Sequence, residues 1–173
     1  MSIVTKKGDG GKTSLYCGKT VGKDDPRIEM CGAIDEVSSF LGVAKNSIKD
    51  RSAKRTIHSI QKDLIVLGAE VATSTAGADK IKKRIDKNLI CVLEKEIEGI
   101  ECKLMIRMNS FCIPGNGAAS SALDVARAVT RRAERRGVTL FKNGKLDNPN
   151  IIAYLNRLSD LLYLLARASE KKR

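Results

Sequence analysis

The chain has 173 residues, 42% of them hydrophobic and 30% charged, and its 32 Lys and Arg against 20 Asp and Glu give a formal net charge of +12. This apolar fraction is typical of a folded domain and excludes a disordered basic tail, and no apolar run reaches the roughly 20 residues of a transmembrane helix. The five cysteines are odd in number and show no CxxC spacing, so neither a disulfide framework nor a zinc ribbon fits. With one histidine, a His-based metal site or a Ser-His-Asp triad has little support.

The first predicted feature is a glycine loop over residues 5–14, TKKGDGGKTS. Glycines allow backbone conformations in which successive N–H groups converge on an anion, and lysines and hydroxyls add donors. A Walker P-loop is excluded, because a lysine stands where that motif requires its first glycine. A flexible basic turn is the alternative. No apolar segment follows the first charges, so we expect no secretory signal and a cytoplasmic location.

Five amphipathic helices are predicted after residue 26, because apolar residues recur there at steps of three and four. Caps, prolines and glycines mark their ends. The fold class is therefore all-α, a five-helix bundle of ferritin-like up-down helices with an N-terminal glycine-rich loop. The predicted helices cover 27–47 and 53–73, a third that starts at Asp86, a fourth from after Pro114-Gly115-Asn116-Gly117 to Gly137, and a fifth that starts at Asp147-Asn148-Pro149.

The fourth helix carries most of the candidate chemistry. Arg127, Arg131 and Arg135 follow an i, i+4, i+8 spacing, with Glu134 beside them. Planar guanidinium groups grip phosphate oxygens in a bidentate manner, which lysine cannot do. The charge surplus likewise favours an anionic ligand: a nucleotide, a nucleic acid or an anionic membrane. A solvated helix with Glu-Arg pairs is the alternative.

Two further polar positions stand beside apolar stripes. Asn156 and Asp160 lie one turn apart in the fifth helix, where the asparagine could read a base or ribose, or tie two helices together. Asp35 in the first helix could pair with an arginine of another helix or subunit, or be solvated.

Four segments together resemble the corrinoid adenosyltransferases, the ATP:cob(I)alamin adenosyltransferases of the trimeric helix-bundle kind. They span residues 5–167 in the family's order. RRAER followed by NRLSD is the specific signal, and the glycine loop alone would be weak. The chain departs from the family where Pro114-Gly115-Asn116-Gly117 replaces a proline-glycine-glycine turn. The segments are TKKGDGGKTSL, DDPRIEMCGAIDEVSSFLG, FCIPGNGAASSALDVARAVTRRAERRG and IAYLNRLSDLLYLLAR.

The resemblance implies one domain over 1–173, with an ATP-binding segment at 1–26 and a helical bundle at 27–170. It implies a homotrimer that binds MgATP between adjacent subunits and transfers the 5′-deoxyadenosyl group to cob(I)alamin, releasing triphosphate. Cob(I)alamin is a strong nucleophile and needs no catalytic base. The implied partners are ATP, corrinoids, a cobalamin reductase and an adenosylcobalamin-dependent enzyme, with no nucleic acid and no membrane.

The same resemblance implies roles for individual residues. Arg127 resembles the catalytic arginine near the triphosphate, and Asp35 its acidic partner across the subunit boundary. Phe111 resembles the aromatic that contacts the lower face of the corrin. Mg²⁺ is expected to be bound through ATP, without protein ligands. The residues that resemble the ATP site are Thr5, Lys6, Lys7, Gly8, Thr13, Ser14, Lys23, Arg131, Arg132, Glu134, Arg135 and Asn156.

Two other functions are weighed against this one. The first is a basic helical protein that binds nucleic acid through the fourth helix. Against it, only 3% of residues are aromatic and there is no Trp, so base-stacking groups are scarce. The second is a non-catalytic ATP sensor on the same scaffold.

Overall fold

The computed structural model describes residues 4, 6–16, 18–73, 77, 80–104 and 112–170. Within them lie five α-helices and one short hairpin, which confirms the all-α bundle. None of the helices in these ranges is long and apolar enough to cross a membrane. The elements are β1 Lys12–Ser14, β2 Thr20–Gly22, α1 Pro26–Ser47, α2 Arg51–Val71, α3 Lys87–Leu104, α4 Ala118–Lys142 and α5 Asn150–Glu170.

The core of the bundle is built from aliphatic stripes on the helices. α1 packs against α4 and α2, and α5 packs against both α4 and α3. The side chains of this hydrophobic core are almost all Leu, Ile, Val and Ala, as the sequence periodicity predicts. Tyr154 is the largest of them, and its hydroxyl donates to Asp63 at 2.9 Å. The placement of α5 between α3 and α4 positions the site described below.

Polar side chains fix four of the helix starts, including that of α3, where Asp86 accepts from the backbone N–H of Leu89 at 2.9 Å. Asp25 accepts from the backbone N–H of Arg27 and so caps α1, and Asp50 accepts from Ser52 at the start of α2, both at 2.8 Å. Asn148 accepts from the N–H of Asn150 at the start of α5. Each bond satisfies an amide that has no partner within its helix.

The N-terminal segment is a turn followed by a hairpin. Gly11 has φ +72°, which favours glycine, and the turn around it agrees with the predicted loop. Beyond it β1 pairs antiparallel with β2, with Lys12 opposite Gly22. The loop prediction did not include this hairpin, because strands of three residues show no clear alternation. The N–H of Tyr16 donates to the carbonyl of Ala72 and joins the hairpin to the end of α2.

The predicted end of the fourth helix at Gly137 is wrong. α4 continues to Lys142, and Gly137 is buried in its interior. A Cβ atom there would lie 3.1 Å from Cε of Met30, so this glycine allows α1 and α4 to pack closely. The helix ends instead near Gly144, at φ +63°, where the N–H of Lys145 donates to the carbonyl of Leu140 at 2.9 Å.

The thiol of Cys31 is predicted to be unreactive. Burial, and then the charge of Asp35, raises its pKa to about 11. At pH 8 only about one thiol in a thousand would be ionised, so alkylation by iodoacetamide should be about 100-fold slower than at an ordinary exposed thiol. Peptide mass spectrometry against exposed Cys91 and Cys102 measures this directly, and in urea the three rates should converge. Equal rates in the folded protein would contradict it.

Candidate active site

A groove of about 510 Å³ runs along α5 between α3 and α4. Because α5 packs against both neighbours, it forms the floor, with Ser159, Asp160 and Tyr163. The α3 wall is acidic and the α4 wall is basic. The groove therefore offers donors to an anion on one side and acceptors on the other. The wall residues are Glu94, Ile97, Glu98 and Glu101 on α3, and Arg127 and Arg131 on α4.

The arginine face of α4, defined as Arg127, Arg131, Arg132 and Arg135, continues beyond this groove. Arg127 also lines a second depression, of about 470 Å³, together with Arg132, Arg135 and the turn at Pro114 and Gly115. Arg127 is thus shared by both cavities. Its side chain is about one-third exposed. The predicted arginines therefore do lie along one surface, and Arg127, at its N-terminal end, is the member that lines both cavities.

The predicted nucleotide residues on α4 and α5 meet at one pair, Asn156 and Glu134. The side-chain amide of Asn156 donates to Glu134 at 3.2 Å, and its carbonyl accepts from Arg157 at 3.0 Å. Arg132 forms an ion pair with Glu36 of α1. Asn156 and Glu134 therefore form a hydrogen-bonded pair that bridges α4 and α5. This arrangement agrees with either predicted role of Asn156, the binding of a base or ribose or the linking of two helices.

The glycine loop brings a different subset together. Lys23 lies over Gly8, where a Cβ atom would stand 3.0 Å from the lysine Nζ. Lys6 has φ +57°. Lys6, Lys7 and Ser14 are exposed and Thr13 is half-buried. Thr5 lies outside the described residues.

No hydrogen bond or ion pair links residues 6–14 to α4 within the parts of the chain that the structure describes. Asp35 is exposed on α1, and its carboxylate has neither kind of contact among those residues. Phe111, predicted to face the corrin, lies outside the described residues. The single chain therefore holds two separate sets of candidate ATP residues, one in the loop and one on α4 and α5.

A model of the cobalamin adenosyltransferase family matches residues 3–169. The chain belongs to this family. It is 39% identical to a corrinoid adenosyltransferase of Citrobacter freundii, over 97% of this chain and 94% of that protein. It is 35% identical to the corrinoid adenosyltransferase PduO of Salmonella typhimurium, of which it spans half the length. A variant PduO-type ATP:corrinoid adenosyltransferase from Lactobacillus reuteri, solved with cobalamin and ATP, superposes with a TM-score of 0.88 at 30% identity, covering 98% of this chain and 93% of that one.

Two residues of this cobalamin adenosyltransferase were not predicted as site residues from the sequence. Asp124 and Arg167 are buried and form an ion pair next to Arg127, and Asp124 also lines the second depression. The i, i+3 spacing of Asp124 and Arg127 is a signal that could have found the first of them. Arg167 lies 43 residues further on, and only the packing of α5 on α4 brings it near.

A further question for this cobalamin adenosyltransferase is whether its own side chains could hold a metal ion. Among the described residues, no group of three or more His, Cys, Asp or Glu side chains could hold a metal ion. Mg²⁺ prefers a few carboxylates plus substrate phosphates over a cage built by the protein alone. A triphosphate on the arginine face would supply such phosphate oxygens.

Proposed function

We infer that this chain is an ATP-dependent corrinoid adenosyltransferase, which transfers the 5′-deoxyadenosyl group of ATP to cob(I)alamin and forms adenosylcobalamin and triphosphate. The observation that carries this is the family match over residues 3–169, which includes both the glycine loop and the whole arginine face. Two cavities share Arg127, which supports a reaction between two ligands bound next to each other.

The chemistry needs positioning and charge stabilisation rather than a base. The electron pair of cob(I)alamin forms the bond from cobalt to C5′, the C5′–O bond breaks, and triphosphate leaves with that electron pair. No proton has to be removed, so a chain with one histidine can perform the step. The protein must hold C5′ in line with cobalt and stabilise the departing anion, which is work for guanidinium groups and backbone amides.

We propose that the complete site is shared by two subunits of a homotrimer, within a single domain in which residues 1–26 supply the ATP loop. Thr5, Lys6, Lys7, Gly8, Thr13, Ser14 and Lys23 of one subunit would then face Arg131, Arg132, Glu134, Arg135 and Asn156 of the next. Two observations support this. The described loop residues 6–14 have no hydrogen bond or ion pair to α4 of their own chain, and Asp35 is exposed beside apolar positions of α1.

The proposed pairing of Asp35 with Arg127 of a neighbouring subunit predicts complementation. Asp35→Asn and Arg127→Lys proteins should each lose most activity. When they are mixed under mild dissociating conditions and reassembled, some interfaces combine the intact Asp35 of one chain with the intact Arg127 of another. Turnover of the mixture should therefore exceed that of either protein alone. Each protein treated and reassembled by itself is the control, and light scattering checks that trimers re-form.

Two results would contradict the shared site. If the mixture is no more active than its components although mixed trimers form, the two residues do not act across a subunit boundary. If light scattering shows a monomer at micromolar concentration, the homotrimer itself is wrong.

The activity is tested by anaerobic incubation with ATP, Mg²⁺ and chemically reduced cobalamin. Loss of the cob(I)alamin absorbance should depend on ATP, and triphosphate should appear in equal amount. ATP binding without this loss would favour the ATP sensor instead.

The nucleic-acid alternative is not favoured by the family match. A filter-binding assay across a salt series tests it, because phosphate-driven binding weakens steeply with salt.

Three finer points are proposed with this function. Phe111 would exclude the lower ligand from the corrin, and Mg²⁺ would enter on the triphosphate. A cytoplasmic location is supported by the free thiols of Cys31, Cys91, Cys102 and Cys112, since reducing compartments keep thiols unpaired.

A further inference from the structure

A buried carboxylate lies beside Arg127 at the wall of the second depression, and the proposed reaction assigns it no role. Asp124, in the second turn of α4, is 5% exposed. Its Oδ2 atom pairs with Nη2 of Arg167 on α5, and its Oδ1 atom lies 3.6 Å from Nε of Arg127. One carboxylate thus faces two guanidinium groups from two helices.

Arg167 is fixed on several sides, which makes it a firm anchor for Asp124. Its Nη2 atom also lies 3.2 Å from a carboxylate oxygen of Glu170, and its Nη1 atom donates to Sγ of Cys112. The ring of Tyr163 lies 5.2 Å from its guanidinium carbon. Burial alone would lower the pKa of Arg167, but the charges of Asp124 and Glu170 outweigh burial and raise it. Arg167 therefore stays charged.

The guanidinium of Arg127 has one end buried and the other open. Its Nε atom is buried and has no hydrogen-bond partner among the described residues, whereas its side chain as a whole is about one-third exposed. The nearest acceptor across from Nε is Asp124. A guanidinium has five N–H donors in a fixed plane, so an attraction at Nε sets the direction of both Nη groups.

We propose that Asp124, anchored by Arg167, is a positioning residue that orients Arg127 so that its Nη groups face the leaving triphosphate. This inference rests on the proposed function of Arg127. The carboxylate attracts the Nε end and leaves the Nη end at the junction of the two cavities, for the triphosphate and for the Asp35 that the proposed trimer brings from a neighbouring subunit. Without Asp124 the long side chain of Arg127 can adopt other rotamers, and misplacement of a catalytic group by about 1 Å can cost on the order of 100-fold in rate.

The test is a double-mutant cycle on kcat with saturating cob(I)alamin. Asp124→Asn keeps the shape and removes the charge, and kcat should fall by about 10-fold or more while KM for ATP changes little. The double variant Asp124→Asn/Arg127→Lys should be no slower than Arg127→Lys, because a positioning residue has no further effect once its target is altered. Glu170→Gln is the matched control. Glu170 is the second carboxylate that pairs with Arg167, but it makes no ion pair with Arg127. This variant should therefore keep the wild-type kcat.

The outcomes separate this inference from the function on which it rests. If Arg127→Lys alone keeps the wild-type kcat, the role of Arg127 fails and the inference with it. If Arg127→Lys is slow but Asp124→Asn is as active as wild type, or the two losses multiply, the positioning role is overturned and the role of Arg127 stands. Should Asp124→Asn not fold because Arg167 loses its partner, Asp124→Asn/Arg167→Met removes both buried charges and takes its place in the cycle.

Discussion

Replacing Arg127 with lysine should lower kcat by on the order of 100-fold while ATP still binds. The ammonium keeps the positive charge, so the attraction to the ground-state triphosphate is largely retained. A lysine ammonium carries all its donors on one nitrogen atom. It therefore cannot face Asp124 with one nitrogen while two other nitrogens donate in parallel to the leaving group. The loss should therefore appear in kcat more than in KM for ATP, as expected for an interaction made in the transition state.

Arg55→Lys is the matched control for that experiment. Arg55 is an exposed arginine of α2, on a helix that does not line either cavity. The two proteins are compared by stopped-flow absorbance of pre-reduced cob(I)alamin, with thermal unfolding measured in parallel. Wild-type turnover of the Arg127→Lys protein would show that charge alone is sufficient and that the planar fork has no role.

The sequence was sufficient for most of the architecture because helices are local structures. The stripes through Leu41, Leu64 and Leu158 recur at helical spacing, and each was predicted to be core and is buried. Gly137 shows where this reasoning fails. A glycine can end a helix or allow a close contact, and the difference depends on Met30, more than 100 residues away in the sequence.

The residues of the candidate site likewise fall into two groups, those that a local sequence pattern predicts and those that only tertiary packing brings together. The arginine face could be predicted because its members follow one another along α4, and Asn156 with Glu134 because both belong to recognisable motifs. Asp124 was not predicted, since its place in the site depends on an ion pair with Arg167 of another helix. The relation of the glycine loop to α4 could not be derived from local pattern at all, because the proposed contact joins two chains.

Glu70 illustrates the same long-range effect in a structural role. This carboxylate, 3% exposed near the end of α2, accepts hydrogen bonds from Arg84 Nε at 2.7 Å, from the backbone N–H of Ile85 at 2.9 Å and from the Asn148 amide at 2.8 Å. Asn148 in turn caps α5. A single buried charge therefore ties α2, residues 84–85 and the start of α5 together.

Glu70→Ala should cost about 2–4 kcal/mol of unfolding free energy, because it leaves the buried amide of Ile85 and the Nε of Arg84 without their acceptor. In a domain of this size the melting temperature should fall by roughly 10 °C. Asp147→Ala is the matched control. Asp147 binds the same Arg84 at 3.0 Å, but its side chain is half exposed, so its removal should cost no more than about 1 kcal/mol. Denaturant unfolding of both variants at one protein concentration gives the comparison, and equal losses would mean that burial of Glu70 is not what makes its network strong.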